Sequence, residues 1–292
     1  MGATARSDST GGLSQMAVIT SDRGRTAERS AALTQYFAEN VFHDKVFTCA
    51  SEAACCSSRG AEELIRGQLH HVGADYDLSF DGRPIRVAVI GQEYGGGNEF
   101  TTLEKRSGEI AKSRDLRFKT TGAIKGRNPH MKGTTSILRL LFGQGLGTDY
   151  ESEHLTLANG SRPHIFDCFA LTNFLLCSAV SARTGARGQS TAVMRANCTR
   201  HFRRAMEILE PTVLVLQSKW FRDDVLAAFD GPAEALGGSA YRVRYGDRTA
   251  TLLAFSHPAS HGKVSNWGWN ERTPYLLETI LPAVTTWRTS LV

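Results

Sequence analysis

The segment from Ile85 to Gly97 reads IRVAVIGQEYGGG, a short run of apolar and β-branched residues that ends abruptly in a glycine-rich loop. Such a run predicts a strand buried on both faces, as in a parallel sheet. Loops at the carboxyl ends of parallel strands are where α/β proteins bind their ligands. We therefore expect the residues that follow this strand to belong to a functional site.

Three further apolar runs have the character of core strands, and they cover residues 164–176 (HIFDCFALTNFLL), 212–216 (TVLVL) and 250–255 (ATLLAF). Apolar residues at helical spacing lie between them, over residues 136–142 and 192–209, and before them, over residues 26–42. This alternation predicts an α/β fold in which helices flank a central, mainly parallel sheet of four strands.

The bulk composition favours one globular domain. A chain of 292 residues that is 41% hydrophobic can bury a substantial core. Residues 1–25 are rich in Gly, Ser, Thr and Ala, which predicts a flexible tail before a domain that covers residues 26–292. No apolar run reaches the length of about 18 residues that a membrane span requires, and the N-terminal residues lack the pattern of a signal peptide. We therefore expect a cytoplasmic monomer with no membrane partner.

Three short motifs lie within predicted strands or at their carboxyl ends: GQEYG at residues 91–95, LTNFLLC at residues 171–177 and SHPAS at residues 256–260. Their order resembles the uracil-DNA glycosylase superfamily. In that superfamily the first motif reads roughly GQDPY or GEAPG, a central strand carries an asparagine, and a late strand ends in HPS. The matching residues here are Gly91-Gln92-Glu93, Thr172-Asn173 and His257-Pro258-Ala259.

The iron-sulfur branch of that superfamily adds a TN-x-x-x-C strand end, a cysteine in the next helix and a Pro-x-V-[IV]-V strand. Here Asn173 is followed by Cys177, then Cys198, then PTVLV at residues 211–215. The resemblance thus runs from about residue 85 to residue 258. The first motif departs from the family, because Glu93 stands where one branch has Asp, Gln92 where the iron-sulfur branch has its acid, and Tyr94 where both have Pro.

The six cysteines are unlike a disulfide framework, since the chain lacks export signals and cytosolic thiols are kept reduced. The cysteines are therefore expected to be either metal ligands or buried free thiols. The resemblance implies a structural [4Fe-4S] cluster with four thiolate ligands: Cys49, one of Cys55 and Cys56, Cys177 and Cys198. Their spacing is wider than in the family, and buried free thiols or a zinc site stay open as alternatives. Cys168 lies within an apolar strand and is expected to be an ordinary buried side chain.

Cleavage of an N-glycosidic bond develops positive charge on the sugar and negative charge on the departing base. The resemblance assigns Glu93 to the sugar and to positioning water, and His257 to a carbonyl oxygen of the base. A carboxylate at a helix N-terminus and a structural loop histidine are the competing interpretations. The amide of Asn173 is expected to recognise the Watson-Crick edge of an extruded base. Further base-binding candidates are Gln92, Tyr94 and His130.

A long basic segment follows the first motif. Nine lysines and arginines lie between Lys105 and Lys132, which indicates either phosphate contacts or a solvated charged surface. The candidates for DNA binding are Lys125, Arg127, Lys132 and Ser260.

These features together predict a DNA glycosylase that hydrolyses the N-glycosidic bond of a flipped-out uracil or modified pyrimidine and leaves an abasic site. One alternative is a glycosylase for hypermodified cytosine in phage DNA, which the atypical Glu93-Tyr94 pair and the basic segment motivate. Another is a nucleic-acid-binding module of the same fold without catalysis. A dinucleotide-dependent oxidoreductase is disfavoured, because GQEYGGG does not match GxGxxG. The sequence leaves the excised base, the strand preference and the choice between DNA repair and phage defence open.

Overall fold

The computed structural model describes residues 18–44, 46–60, 64–67, 69–93, 101–116, 126–180, 190–260, 267 and 273–290. Its helices are α1 (Arg23–Asn40), α2 (Glu52–Ser57), α3 (Leu103–Asp115), α4 (Pro129–Leu141), α5 (Ala192–Leu209), α6 (Arg222–Leu226) and α7 (Leu281–Thr289), the last preceded by a π-helical turn, Leu276–Ile280. Shorter 3-10 turns cover Glu151–Glu153, Ile165–Asp167 and Lys219–Phe221. Over the described ranges, none of these helices combines the length and apolar character that crossing a bilayer requires.

The strands are β1 (Ile19–Ser21), β2 (Phe42–His43), β3 (Val46–Phe47), β4 (Leu64–Ile65), β5 (His71–Val72), β6 (Leu78–Phe80), β7 (Arg83–Ile85), β8 (Val87–Gly91), β9 (Phe169–Asn173), β10 (Ser178–Ala179), β11 (Val213–Leu216), β12 (Glu234–Gly237), β13 (Ala240–Tyr245) and β14 (Arg248–Ala254). Small antiparallel sheets join β1, β6 and β7, β2 and β3, and β4 and β10.

The central sheet has the order β12-β13-β14-β11-β8-β9-β5. Strands β14, β11, β8 and β9 are parallel, and the antiparallel strands β12, β13 and β5 extend the sheet at its two edges. The predicted α/β fold with a mainly parallel sheet is confirmed, but the predicted count of four strands is wrong, since the described residues form seven. The edge strands escaped prediction because β5 has only two residues and β12 is largely exposed.

Both faces of the sheet are covered by helices. Along β8, Val87 and Val89 pack in a core with residues of α4 and α7, whereas Ala88 and Ile90 pack in a second core with residues of α1 and α5. Side chains alternate between the two faces of a strand, so a strand covered on both sides must be apolar at every position. This is why β8 has the continuous apolar sequence that identifies it.

The fold begins earlier than the sequence predicts. Strand β1 pairs with β6, and α1 starts at Arg23, inside the segment assigned to a flexible tail. The side chain of Asp22 caps α1 by accepting a hydrogen bond from the backbone N–H of Arg25 at 2.9 Å. A three-residue strand and a polar first helical turn carry little apolar periodicity, which explains the misplaced boundary. The remainder of the predicted tail, residues 1–17, lies outside the described residues.

A buried ionic network lies at the edge of the sheet where β8 and β11 begin. The guanidinium of Arg29 on α1 is 3.0 Å from Asp77 and 2.7 Å from Glu210, and Arg248 is 2.6 Å from the other oxygen of Glu210. Burial alone would raise the pKa of Glu210, but the Arg29 hydrogen bond and the surrounding arginine charges outweigh it, and the pKa is lowered. The network fastens α1 to the amino-terminal edge of the sheet.

Candidate functional site

The carboxyl ends of the four parallel strands meet at the opposite edge of the sheet, where a cavity of about 800 Å³ opens. One wall comes from the residues that end or follow those strands, and the other from α3 and the start of α4. Five of the predicted site residues line this single cavity: Gln92, Glu93, His130, Asn173 and His257. Tyr94 and Lys125 lie outside the described residues.

Strands β8 and β9 place Gly91 directly opposite Asn173. A Cβ at Gly91 would lie 3.1 Å from Asn173 Oδ1 and 3.6 Å from His130 Cε1, so the absence of a side chain allows this close approach. The backbone N–H of Asn173 donates to Nδ1 of the buried His70 at 3.3 Å. Burial, together with the charges of Arg106 and His201, lowers the pKa of His70 to about 3. His70 is therefore a neutral acceptor that fixes the backbone of Asn173.

The carboxylate of Glu93 is half-buried at the end of β8. Its Oε2 accepts a hydrogen bond from the backbone N–H of Ala179 at 3.2 Å. Ala179 belongs to β10, which pairs with β4, so this small sheet orients the acid. Hydrogen bonds from Phe174 N–H to Gly91 O and from Leu175 N–H to Gln92 O hold the loop itself, at 3.0 and 2.9 Å. Hydrogen bonds thus hold both the carboxylate and the backbone of the loop that carries it.

His257 lies at the mouth of the cavity, after β14. Its Nδ1 accepts a hydrogen bond from the backbone N–H of Ala259 at 3.1 Å, so in the neutral ring the proton is on Nε2. Desolvation lowers the pKa of His257, which favours this neutral form. The geometry therefore offers Nε2–H as a hydrogen-bond donor.

His130, at the start of α4, stands beside His257 with ring centroids 6.4 Å apart and planes inclined by 27°. Desolvation, with smaller contributions from the charges of His257 and Arg106, lowers the pKa of His130 to about 3. Two neutral imidazoles thus face the same part of the cavity. The side chain of Asn128 caps the helix by accepting from Met131 N–H at 2.9 Å, which fixes the turn that carries His130.

The loop that carries His257 is packed closely against α4. A Cβ at Gly133 would lie only 2.7 Å from Pro258 Cγ and 3.0 Å from Trp267 Cε3, so a glycine is required for this contact. The indole of Trp267 donates to Ser256 O at 2.7 Å, and the hydroxyl of Tyr275 accepts from Ser256 N–H at 2.9 Å. These contacts hold the end of β14 and therefore the position of His257.

The predicted role of Arg127 in DNA binding is wrong. Arg127 is 2% exposed, pairs with Glu153 at 2.5 Å and lies 4.7 Å from the centroid of the Phe166 ring. Glu153 is distant in sequence, so the basic segment gave no sign that this arginine has a buried partner. Lys132 on α4 and Ser260 are half-buried and do not line the cavity. The Ser260 N–H donates to His257 O at 2.8 Å, which makes it part of the histidine loop.

Sequence analysis missed the cavity wall that α3 supplies. Arg106, Glu109, Ile110 and Ser113 line it, and their spacing of three and four residues puts them on one face of the helix. That periodicity was the available signal. Ser218 also lines the cavity, and its position two residues after the end of β11 follows the same rule that identified Glu93 and His257.

Four thiols line a second, apolar cavity on the α5 side of the sheet: Cys49, Cys55, Cys177 and Cys198. Cys56 does not line it, and Cys168 is buried elsewhere. Desolvation, with smaller contributions from the neighbouring thiols, raises the pKa of Cys177, and desolvation raises that of Cys198 to about 12. The structure therefore places four of the five candidate cysteines around one cavity, with Cys55 among them and Cys56 not.

Two polar side chains contact the thiols of this second cavity. Asn197 Nδ2 donates to Cys55 Sγ at 3.4 Å, and His201 Nε2 lies 3.7 Å from Cys49 Sγ. Among the described residues, no group of three or more His, Cys, Asp or Glu is arranged around one metal ion. Arg200 Nε donates to His201 Nε2 at 3.3 Å, so Asn197 is the one of these two side chains that directs an N–H at sulfur. Four cysteine side chains around one cavity form a ligand set that both a [4Fe-4S] cluster and a zinc ion use.

No protein-family model matches the chain. A comparison with characterised proteins also finds no match. A functional proposal therefore depends on the three motifs and on the geometry that brings their side chains together.

Proposed function

We propose that this protein is a DNA glycosylase of the uracil-DNA glycosylase type, a cytoplasmic monomer that hydrolyses the N-glycosidic bond of a flipped-out base. The observation that carries the proposal is the meeting of Glu93, Asn173 and His257 in one cavity of about 800 Å³. They come from three different strands and supply a carboxylate, an amide and a neutral imidazole. Such groups can stabilise the positive charge on the sugar and the negative charge on the base that develop as a glycosidic bond breaks.

Glu93 acts at the sugar. As the bond to the base lengthens, positive charge grows on C1′ and the ring oxygen, and a nearby carboxylate stabilises it. The same carboxylate orients a water molecule for attack on C1′. The water oxygen forms the new bond to C1′, and its proton goes by way of the carboxylate and solvent to the departing base. The Ala179 N–H keeps the carboxylate in place throughout.

His257 acts at the base. Electrons from the broken bond move onto the base, and the Nε2–H of neutral His257 donates a hydrogen bond to the carbonyl oxygen on which that charge accumulates. Asn173 presents a donor and an acceptor on one planar group, which matches the Watson-Crick edge of a pyrimidine. The base is thus oriented before its charge develops.

We also propose that Cys49, Cys55, Cys177 and Cys198 hold a [4Fe-4S] cluster. Such a cluster would join α2 and the residues before it, the segment between β9 and β10, and α5. Its role is structural, since it lies outside the cavity that contains Glu93 and His257. Metal ligation supplies folding free energy directly.

The size of the cavity supports a second candidate substrate, a pyrimidine with a bulky polar substituent. Ligand pockets range from about 300 to 1,000 Å³, and a cavity of about 800 Å³ greatly exceeds one pyrimidine ring. Arg106, Glu109 and Ser113 line the wall away from the strand ends and offer donors and acceptors to such a substituent. Glucosylated hydroxymethylcytosine, as in phage DNA, has this chemistry.

The test is base release from matched duplexes that contain uracil, hydroxymethylcytosine or glucosylated hydroxymethylcytosine, followed by alkaline cleavage at the abasic site. We expect cleavage of at least one duplex, abolished in Glu93→Gln and retained in Glu104→Gln, an exposed acid on α3. Release of uracil indicates repair, and release of the glucosylated base indicates phage defence. DNA binding without release of any base, unchanged in Glu93→Gln, would instead establish a non-catalytic module.

A further inference from the structure

Trp220 is the most exposed large hydrophobic residue in the described part of the chain, with 87% of its surface accessible. The other described tryptophans, Trp267 and Trp287, are each 1% exposed. A tryptophan contributes to stability through burial of its large apolar surface, and this one contributes almost none. Its position must therefore be explained by something other than the core.

The turn that carries Trp220 is anchored to the core and borders the candidate functional site. Ser218, two residues earlier, lines the cavity. Phe221, the next residue, is 3% exposed and packs against Phe174 with ring centroids 5.0 Å apart. The backbone N–H of Lys219 donates to Phe255 O at 2.6 Å, two residues before His257. The residues on both sides of Trp220 are thus fixed by the core, and the chain carries the indole two residues from the cavity lining.

The charge beside the indole favours a nucleic acid over a protein as the partner. Lys219 is exposed and forms no ion pair within the described ranges. An exposed cation next to an exposed aromatic ring is the combination with which proteins contact a phosphate and stack on a base. A protein interface, in contrast, is depleted in lysine at its centre.

We propose that Trp220 stacks on a DNA base beside the flipped-out nucleotide while Lys219 contacts the adjacent phosphate. This inference rests on the proposed function, which supplies DNA as the partner. Extruding a nucleotide leaves its neighbours without a stacking partner on one side. An exposed indole close to the cavity replaces that partner and stabilises the extruded state.

The test measures binding of the full-length protein to a labelled duplex with one tetrahydrofuran abasic site, which does not depend on the identity of the base. Loss of one base-aromatic stack predicts that Trp220→Ala weakens binding roughly 5- to 100-fold. Trp220→Phe, which keeps an aromatic ring, should restore most of the affinity. DNA should quench the tryptophan fluorescence of the wild-type protein more than that of Trp220→Phe.

Val46→Ala, which truncates another exposed apolar side chain on the β2–β3 hairpin, serves as the matched control and should bind like wild type. Equal affinity of the wild-type protein and Trp220→Ala would overturn the inference and leave the proposed function standing. A Trp220-dependent dimer in sedimentation, with DNA binding unaffected, would overturn it in favour of a protein interface. Failure of the wild-type protein to bind any DNA would overturn both proposals.

Discussion

Gly133 is the point at which helix α4 contacts the loop that carries His257, and Gly133→Ala tests whether that contact positions the histidine. The added Cβ would lie 2.7 Å from Pro258 Cγ, against 3.4 Å for an ordinary contact, a shortfall of 0.7 Å. Because helix backbone and a proline ring meet there, the relief must come from movement of the 256–260 loop. A misplacement on the order of 1 Å can cost roughly 100-fold in rate. We expect single-turnover base release to slow about 10- to 100-fold.

The same substitution has two opposing effects on stability. Replacing a helical glycine by alanine gains about 1 kcal/mol, and overpacking a core contact costs about 1–3 kcal/mol. The net change is a loss of about 0–2 kcal/mol, measured by urea unfolding. The control is Gly108→Ala on α3, where a Cβ meets nothing within 4 Å. That variant should gain about 1 kcal/mol and keep its rate. A Gly133→Ala protein that matches Gly108→Ala in both measurements would refute the proposed contact.

Three further predictions follow from the sites described above. His257→Ala should slow single-turnover base release roughly 100-fold. Since the pKa of His257 is lowered, the wild-type rate should not fall as the pH drops to about 6.5. A fall in rate over that pH range would contradict the role of neutral His257 as a donor. Anaerobically purified protein should be brown and contain iron and sulfide. Cys55→Ser should lose both colour and stability, and Cys56→Ser should lose neither. Equal effects of the two substitutions would contradict Cys55 as the proposed ligand. Glu210→Gln should cost on the order of 2 kcal/mol, against little for Glu207→Gln on the surface of α5. Because the pKa of Glu210 is lowered in the folded state, this stabilisation is present above the pKa that Glu210 has in the unfolded chain and is lost as the pH falls below that value. A difference in unfolding free energy between wild type and Glu210→Gln that stays the same at low pH would contradict this prediction.

The parallel core of the fold was predictable because its strands are covered on both faces. Strand β11 and helix α5 lie almost where the apolar patterns put them, at Val213–Leu216 and Ala192–Leu209. The start of the fold was not, because β1 has only three residues and the first turn of α1 is polar, so neither leaves an apolar pattern. The edge strands were not predicted for a related reason: β12 has no buried face, so its sequence shows no apolar pattern.

The candidate site was predictable only where it is built from strand ends. Asn173 ends a buried strand, and Glu93 and His257 follow two others, so the rule for parallel sheets located them. The opposite wall comes from a helix, and the spacing of Arg106, Glu109, Ile110 and Ser113 predicts a shared helical face but not that this face lines the cavity. Arg127 shows the converse error, because a basic run suggests surface charge and cannot show that Glu153 neutralises one of its members inside the protein.

The ionic network and the cavity occupy opposite edges of the same sheet, and this separation has a consequence for engineering. Residues at the carboxyl ends of the strands line the cavity, while Arg29, Asp77 and Glu210 fasten the helix layer at the amino ends. Stabilising substitutions often impair activity when they stiffen the reacting region. Here a library of substitutions confined to the cavity loops can vary specificity without weakening the ionic network. Substitutions that strengthen the ionic network can in turn raise the tolerance to such variation without changing the residues that line the cavity.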